Sequence, residues 1–121
     1  MKRDLNPIRN ILLDIEEFPA GKIIKGFKFE GRSAAEVLEH VQLLLDADFI
    51  EGEVIQGPIG APAACVVMRM TWSGHEFLSN AKNETIWKRV VAQAQDKGMS
   101  TSMTIINGLL EAAAKKYVGL E

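Results

Sequence analysis

An α+β domain is the fold class this sequence predicts, and three observations carry it. Apolar residues return at three- and four-residue spacing in several separate stretches, two short runs near the middle alternate instead, and a glycine- and proline-rich segment parts those two runs. With 121 residues, 47% of them apolar and 25% charged, the chain has the size and balance of one globular domain with a core of its own.

Leu5, Ile8, Ile11, Leu12, Ile15 and Phe18 fall on one helical face, so the spacing predicts a first helix over 5–18. Asp4 or Asn6 can cap it. Pro7 fits in the first turn, where its missing N–H costs nothing, and Pro19-Ala20-Gly21 ends it. From Lys22 to Glu30, Ile23, Phe27 and Phe29 take odd positions against Lys22, Lys28 and Glu30 on even ones, which predicts a short strand. Ser33-Ala34-Ala35-Glu36 has the form of a capping box, so a second helix starts at Ala34 and buries Val37, Leu38, Val41, Leu44 and Leu45.

The alternating runs are Ile50 to Gln56 and Cys65 to Trp72. Gly57-Pro58-Ile59-Gly60-Ala61-Pro62 lies between them, and a hairpin with a long irregular tip follows. In the second run Val66, Met68, Met70 and Trp72 share one face, with Cys65, Val67, Arg69 and Thr71 on the other. About three helices close the chain. Ser73-Gly74-His75-Glu76 is a capping box for one carrying Phe77, Leu78 and Ala81. Asn83-Glu84 opens a second, with Ile86, Trp87, Val90, Val91 and Ala94 inward and Lys97-Gly98 as its stop. Ser100-Thr101-Ser102 can cap the third, where Met103, Ile106, Leu110, Ala113 and Tyr117 form one apolar face and Ile105, Leu109 and Ala112 a second.

Helix, strand, helix and hairpin is the order of a winged helix, with the helix before the hairpin as the candidate reader and the hairpin as the wing. The sequence thus predicts one domain over 1–121, a winged-helix-like core over 1–72 followed by a helical extension over 73–121. Glu39-His40-Val41-Gln42-Leu43-Leu44-Leu45-Asp46-Ala47-Asp48-Phe49-Ile50-Glu51 resembles the passage from third helix to wing in bacterial winged-helix regulators. Asp48 and Phe49 stand where those proteins carry the glycine and leucine of an "AGLI"-like turn. With Met1 to Leu5, Leu12-Leu13, the block Met70-Thr71-Trp72-Ser73-Gly74-His75-Glu76-Phe77-Leu78 and Thr85-Ile86-Trp87, nearly the whole chain resembles the domain-of-unknown-function 2513 family. That resemblance implies short proteins of bacteria and their phages or other mobile elements, and a winged helix. It brings no activity with it.

Composition narrows the chemistry. A net charge of -2 gives no global field toward nucleic acid or anionic lipid, so such binding needs a local patch. Cys65 stands alone, which excludes an internal disulfide, and with only His40 and His75 beside it no cofactor or zinc site is expected. A cytoplasmic protein is the expectation, since no apolar segment follows the basic N-terminus and no window is long enough to span a bilayer.

His75-Glu76 lacks the second histidine of a zinc helix, position 79 being serine, and no nucleophile–base pair accompanies it, so no enzyme is expected. The best local patch is Lys22, Lys25, Lys28 and Arg32 leading to Ser33, the cap of the candidate reader helix, with Gln42 as an amide reader of bases and His40 and Arg69 as further contacts. The leading expectation is therefore a winged-helix nucleic-acid-binding or regulatory accessory protein of a mobile element, with double-stranded DNA as its partner. The alternative is a protein-interaction adaptor that uses the same scaffold without binding DNA. Against DNA, positions 33–53 carry Glu36, Glu39, Asp46, Asp48, Glu51 and Glu53 and no lysine or arginine, which favours the adaptor. The two-sided C-terminal helix suggests a protein partner or a homodimer. No membrane partner is expected.

Overall fold

The computed structural model describes residues 1–96 and 103–117. Among them are five helices and one antiparallel hairpin: α1 (Leu5–Glu17), α2 (Ala34–Asp46), β1 (Ile50–Gln56), β2 (Pro62–Met70), α3 (Trp72–Ala81), α4 (Glu84–Asp96) and α5 (Met103–Tyr117). The chain divides into two compact units, Met1–His75 and Glu76–Glu121.

In the first unit α1 and α2 pack on each other and both pack on the hairpin. Of the faces foreseen, Leu5, Ile8, Ile11, Leu12 and Ile15 of α1 are buried at 7% exposure or less, joined by Val37, Val41 and Leu44 of α2. Phe18, just past the end of α1, is instead 43% exposed, and Leu38 and Leu45 are half-buried. The Asp4 carboxylate caps α1 by accepting from the Asn6 N–H at 2.9 Å, and the Ser33 hydroxyl caps α2 by accepting from the Glu36 N–H at 3.1 Å. α2 ends in a Schellman turn: the N–H of Phe49 donates to the carbonyl of Leu44 and that of Asp48 to Leu45, both at 3.0 Å. Asp48 takes φ 65°, the left-handed conformation that the glycine of an "AGLI"-like turn supplies without strain.

The strand expected over Lys22 to Glu30 is reduced to one bridge. Ile24 exchanges both backbone hydrogen bonds with Val67, at 2.9 and 2.8 Å, and no neighbour extends the pairing. The inward residue is Ile24, 7% exposed, and Ile23 faces out at 51%, opposite to the parity read from the sequence.

The hairpin departs from simple alternation for a local reason. Glu51 pairs with Arg69 and Gly52 with Val67, so Met68 is the extra residue of a bulge. Cys65 and Val67 point inward below it, Met70 points inward above it, and Met68 is left 61% exposed. Gly52 is the partner that permits this, because a Cβ there would run into the Val66 carbonyl oxygen and lie 2.9 Å from the Val67 Cα. β2 begins at Pro62, paired with Gln56, so the regular strand reaches into the segment read as irregular. The tip is closed by Gly57 N–H to Ala61 O at 2.7 Å and Gly60 N–H to Gly57 O at 3.0 Å.

α3 starts at Trp72, one residue before the serine expected to cap it. Thr71 is the cap: its hydroxyl accepts from the Gly74 N–H at 3.1 Å and donates to the Asp48 carbonyl at 2.6 Å. Ser73 is exposed on the first turn.

In the second unit Phe77 meets Trp87 edge to face, with centroids 6.2 Å apart, and α4 packs on α5 through Val90, Ile106 and Leu110, all buried. Asn83 caps α4, its side-chain oxygen accepting from the Ile86 N–H at 3.0 Å. The stop at Lys97-Gly98, the caps at Ser100 to Ser102 and the side chains of Met103 and Tyr117 lie outside the described residues.

Candidate functional site

The residues singled out from sequence separate into three groups. The first is committed to holding the first unit together. Arg32 donates to the Asp4 carboxylate at 2.6 Å and stands 3.6 Å from Glu36, and Ser33 is spent on its cap. His40, expected as a further nucleic-acid contact, is buried with 1% exposure. Its Nδ1–H donates to the Glu36 carbonyl at 2.7 Å, which leaves Nε2 to accept the Asp4 backbone N–H at 3.0 Å. Both ring nitrogens are occupied inside the fold, so His40 does not reach the surface. Burial pushes the Asp4 carboxyl upward, but the Asn6 N–H and the Arg32 guanidinium outweigh it and hold the group below its ordinary value.

The second group is paired at the surface. The Gln42 amide donates to Asp46 one turn on at 2.9 Å, and Arg69 donates to Glu51 across the hairpin at 2.9 Å. The third group is Lys22, Lys25 and Lys28, all exposed and, among the described residues, in no ion pair. Lys22 precedes the bridge at Ile24, and Lys25 and Lys28 follow it on the segment that runs toward α2. Phe27 and Phe29 stack beside them with centroids 6.5 Å apart.

The exposed apolar surface was not anticipated. A groove of about 680 Å³ opens between the end of α1 and β2, with Ile15, Phe18, Ile24 and Met70 in its lining and Ile23 and Met68 at its mouth. Phe18 is 43% exposed, Ile23 51% and Met68 61%. Lys22, Arg69, His75 and Glu16 supply its polar lining. Trp72, 78% exposed, stands one turn before His75 on the same side of α3. Sequence held one sign of this surface, a glycine at position 52 inside an alternating run, where it marks a bulge.

Cys65 is buried at 2% exposure, and burial pushes its thiol up from the ordinary value. Among the described residues no group of three His, Cys, Asp or Glu is placed to hold a metal ion, and no helix is long and apolar enough to cross a membrane.

Fold and surface together define a small α+β protein in which the end of α1 and the bulged strand β2 frame an open apolar groove with basic residues in its lining. The chain belongs to the family described as hypothetical protein (DUF2513), whose model matches residues 2–100. It is similar to an uncharacterized protein of Haemophilus influenzae, 30% identical over 107 residues that make up 88% of this chain and 89% of the relative. No solved structure matches.

Proposed function

We propose that this chain is a protein-interaction adaptor built on a winged-helix scaffold, with a binding role and no reaction of its own. The order α1, bridge at Ile24, α2 and hairpin supports the scaffold, the bridge standing for the short first strand of a winged helix. The observation that carries the adaptor reading is the exposure of Phe18, Ile23 and Met68 around one groove, with Trp72 exposed one turn before the groove-lining His75. Large apolar side chains clustered at a surface favour protein contact, and tryptophan is enriched among the residues that dominate interface energetics. α2 adds no cation that would draw it into a DNA groove.

The test is photo-crosslinking in cells with a photoreactive residue at position 68 or 72, and at position 53 as a control. Discrete protein adducts at 68 and 72 and none at 53 are expected. Adducts mainly to nucleic acid overturn the reading.

A second reading, a DNA-binding regulatory accessory protein of a mobile element, is favoured by Lys22, Lys25 and Lys28, whose ammonium groups have no carboxylate partner among the described residues. Three phosphate contacts give a slope of about -3 in log affinity against log salt on a duplex. A flat response, or one unchanged by replacing all three lysines with Ala, removes it.

A homodimer through α5 rests on Ile105, 36% exposed, with Leu109 and Ala112 on the same outer row. Sedimentation of the pure protein across micromolar concentrations tests it, and a constant monomeric mass rules it out.

A further inference from the structure

We infer that the groove between the end of α1 and β2 binds an extended segment of a partner protein that combines acidic residues with large apolar anchors. This rests on the adaptor reading and adds the site and the chemistry of what it takes. The floor is apolar and held from behind by core residues: Ile15, Ile24 and Met70 line it at 7% exposure or less, so its shape is fixed by the packing of the first unit. Its mouth is made by side chains that the fold turns outward. Met68 is expelled by the bulge opposite Gly52, and Ile23 is turned out because its neighbour Ile24 takes the bridge to Val67.

Charge selects the partner. Among the described residues, Lys22 lines the groove without a carboxylate partner, and Lys25 and Lys28, which follow it in the chain, have none either. Arg69 adds a cation whose carboxylate, Glu51, it meets at the surface, and Glu16 is the acidic residue in the lining. A basic ligand would lose hydration against Lys22 with little return, whereas carboxylates can reach Lys22 and Lys25 while apolar side chains enter beside Met68. Trp72, 78% exposed and one turn before the groove-lining His75, offers an apolar contact beyond the lining itself. This favours a peptide over a compact small molecule, since a compact ligand would leave the indole untouched.

The test selects a random dodecamer display library on the full chain and counter-selects on Met68→Glu. Met68 is 61% exposed, so the charge change leaves the core alone; an unaltered urea midpoint checks that. Enriched peptides should pair Asp and Glu with Leu, Ile, Phe or Trp. They should bind at least tenfold more weakly to Met68→Glu and Lys22→Glu, and equally to Ile59→Glu at the hairpin tip, where Ile59 is 90% exposed. Amide shifts on binding should fall on Ile23, Ile24 and Val67 to Met70. Enrichment of basic peptides, shifts elsewhere, or no enrichment over the counter-selected variant overturns the proposal. Any of these results together with protein crosslinks at position 72 leaves the adaptor reading standing, and loss of those crosslinks as well removes both.

Discussion

Nε2 of His40 accepts the backbone N–H of Asp4 across 3.0 Å, tying the first residue before α1 to the middle of α2. Asp4 also holds Arg32, which reaches Glu36, whose carbonyl takes the Nδ1–H of His40. Four residues from three parts of the chain thus satisfy one another where α1 meets α2. His40→Ala leaves the Asp4 N–H unpaired in a cavity of imidazole shape, and a loss of about 2–4 kcal/mol in urea denaturation is expected. A change within experimental error would show that water replaces the ring.

Asp4 makes part of this stability depend on acid. Its carboxyl is held below the ordinary 3.8, so the folded state is favoured by the ion pair above that pH and loses the advantage as pH falls through the lower folded value. Asp4→Asn keeps an amide oxygen for the cap and removes the charge. The wild type should be more stable at pH 7 by less than about 1 kcal/mol, because the pair is partly exposed, and the gap should close toward pH 2. A gap independent of pH contradicts the assignment.

Gly74 is buried where α3 starts, and a Cβ there would strike the Phe49 carbonyl oxygen and lie 2.7 Å from the Met70 Cγ. Gly74→Ala should destabilise by about 3 kcal/mol. Gly26→Ala is the control, since a Cβ at that position meets nothing within 4 Å, and its urea midpoint should stay where it is.

Asp48 gives the opposite sign. Its φ of 65° is strained for any residue with a Cβ, and its side chain is exposed, so Asp48→Gly should raise stability by about 0.5–1 kcal/mol. Unchanged or lower stability would mean that the carboxylate compensates for the strain.

Helix periodicity and caps made most of the backbone legible. Ser33 and Asn83 cap the helices their spacing assigned to them, and α1 and α2 bury most of the faces their apolar residues mark, Phe18 being exposed and Leu38 and Leu45 half-buried. What could not be read depends on partners distant in sequence. Ile23 and Ile24 are chemically alike, and only the hydrogen bonds to Val67 decide which turns inward. Thr71 rather than Ser73 caps α3 because its hydroxyl also meets the Asp48 carbonyl, 23 residues back in the chain. The candidate site was obscured by the same cause. Charge spacing drew attention to Arg32 and His40, whose partner Asp4 is brought to them by tertiary packing, and passed over Met68, which lies in a run that looks regular until it is paired.

The bulge at Met68 means that the exposed methionine is a consequence of chain length as much as of residue type. β2 carries one residue more than its partner needs at this point, so the surplus has to leave the sheet. Deleting position 68 would close this bulge and leave the register shift between Ile55 and Gln56 in place, while Cys65, Val67 and Met70 would all still point into the core. The protein would keep its interior and lose one wall of its groove. Substitution at 68 changes what is offered to a partner; shortening the strand by one withdraws the offer.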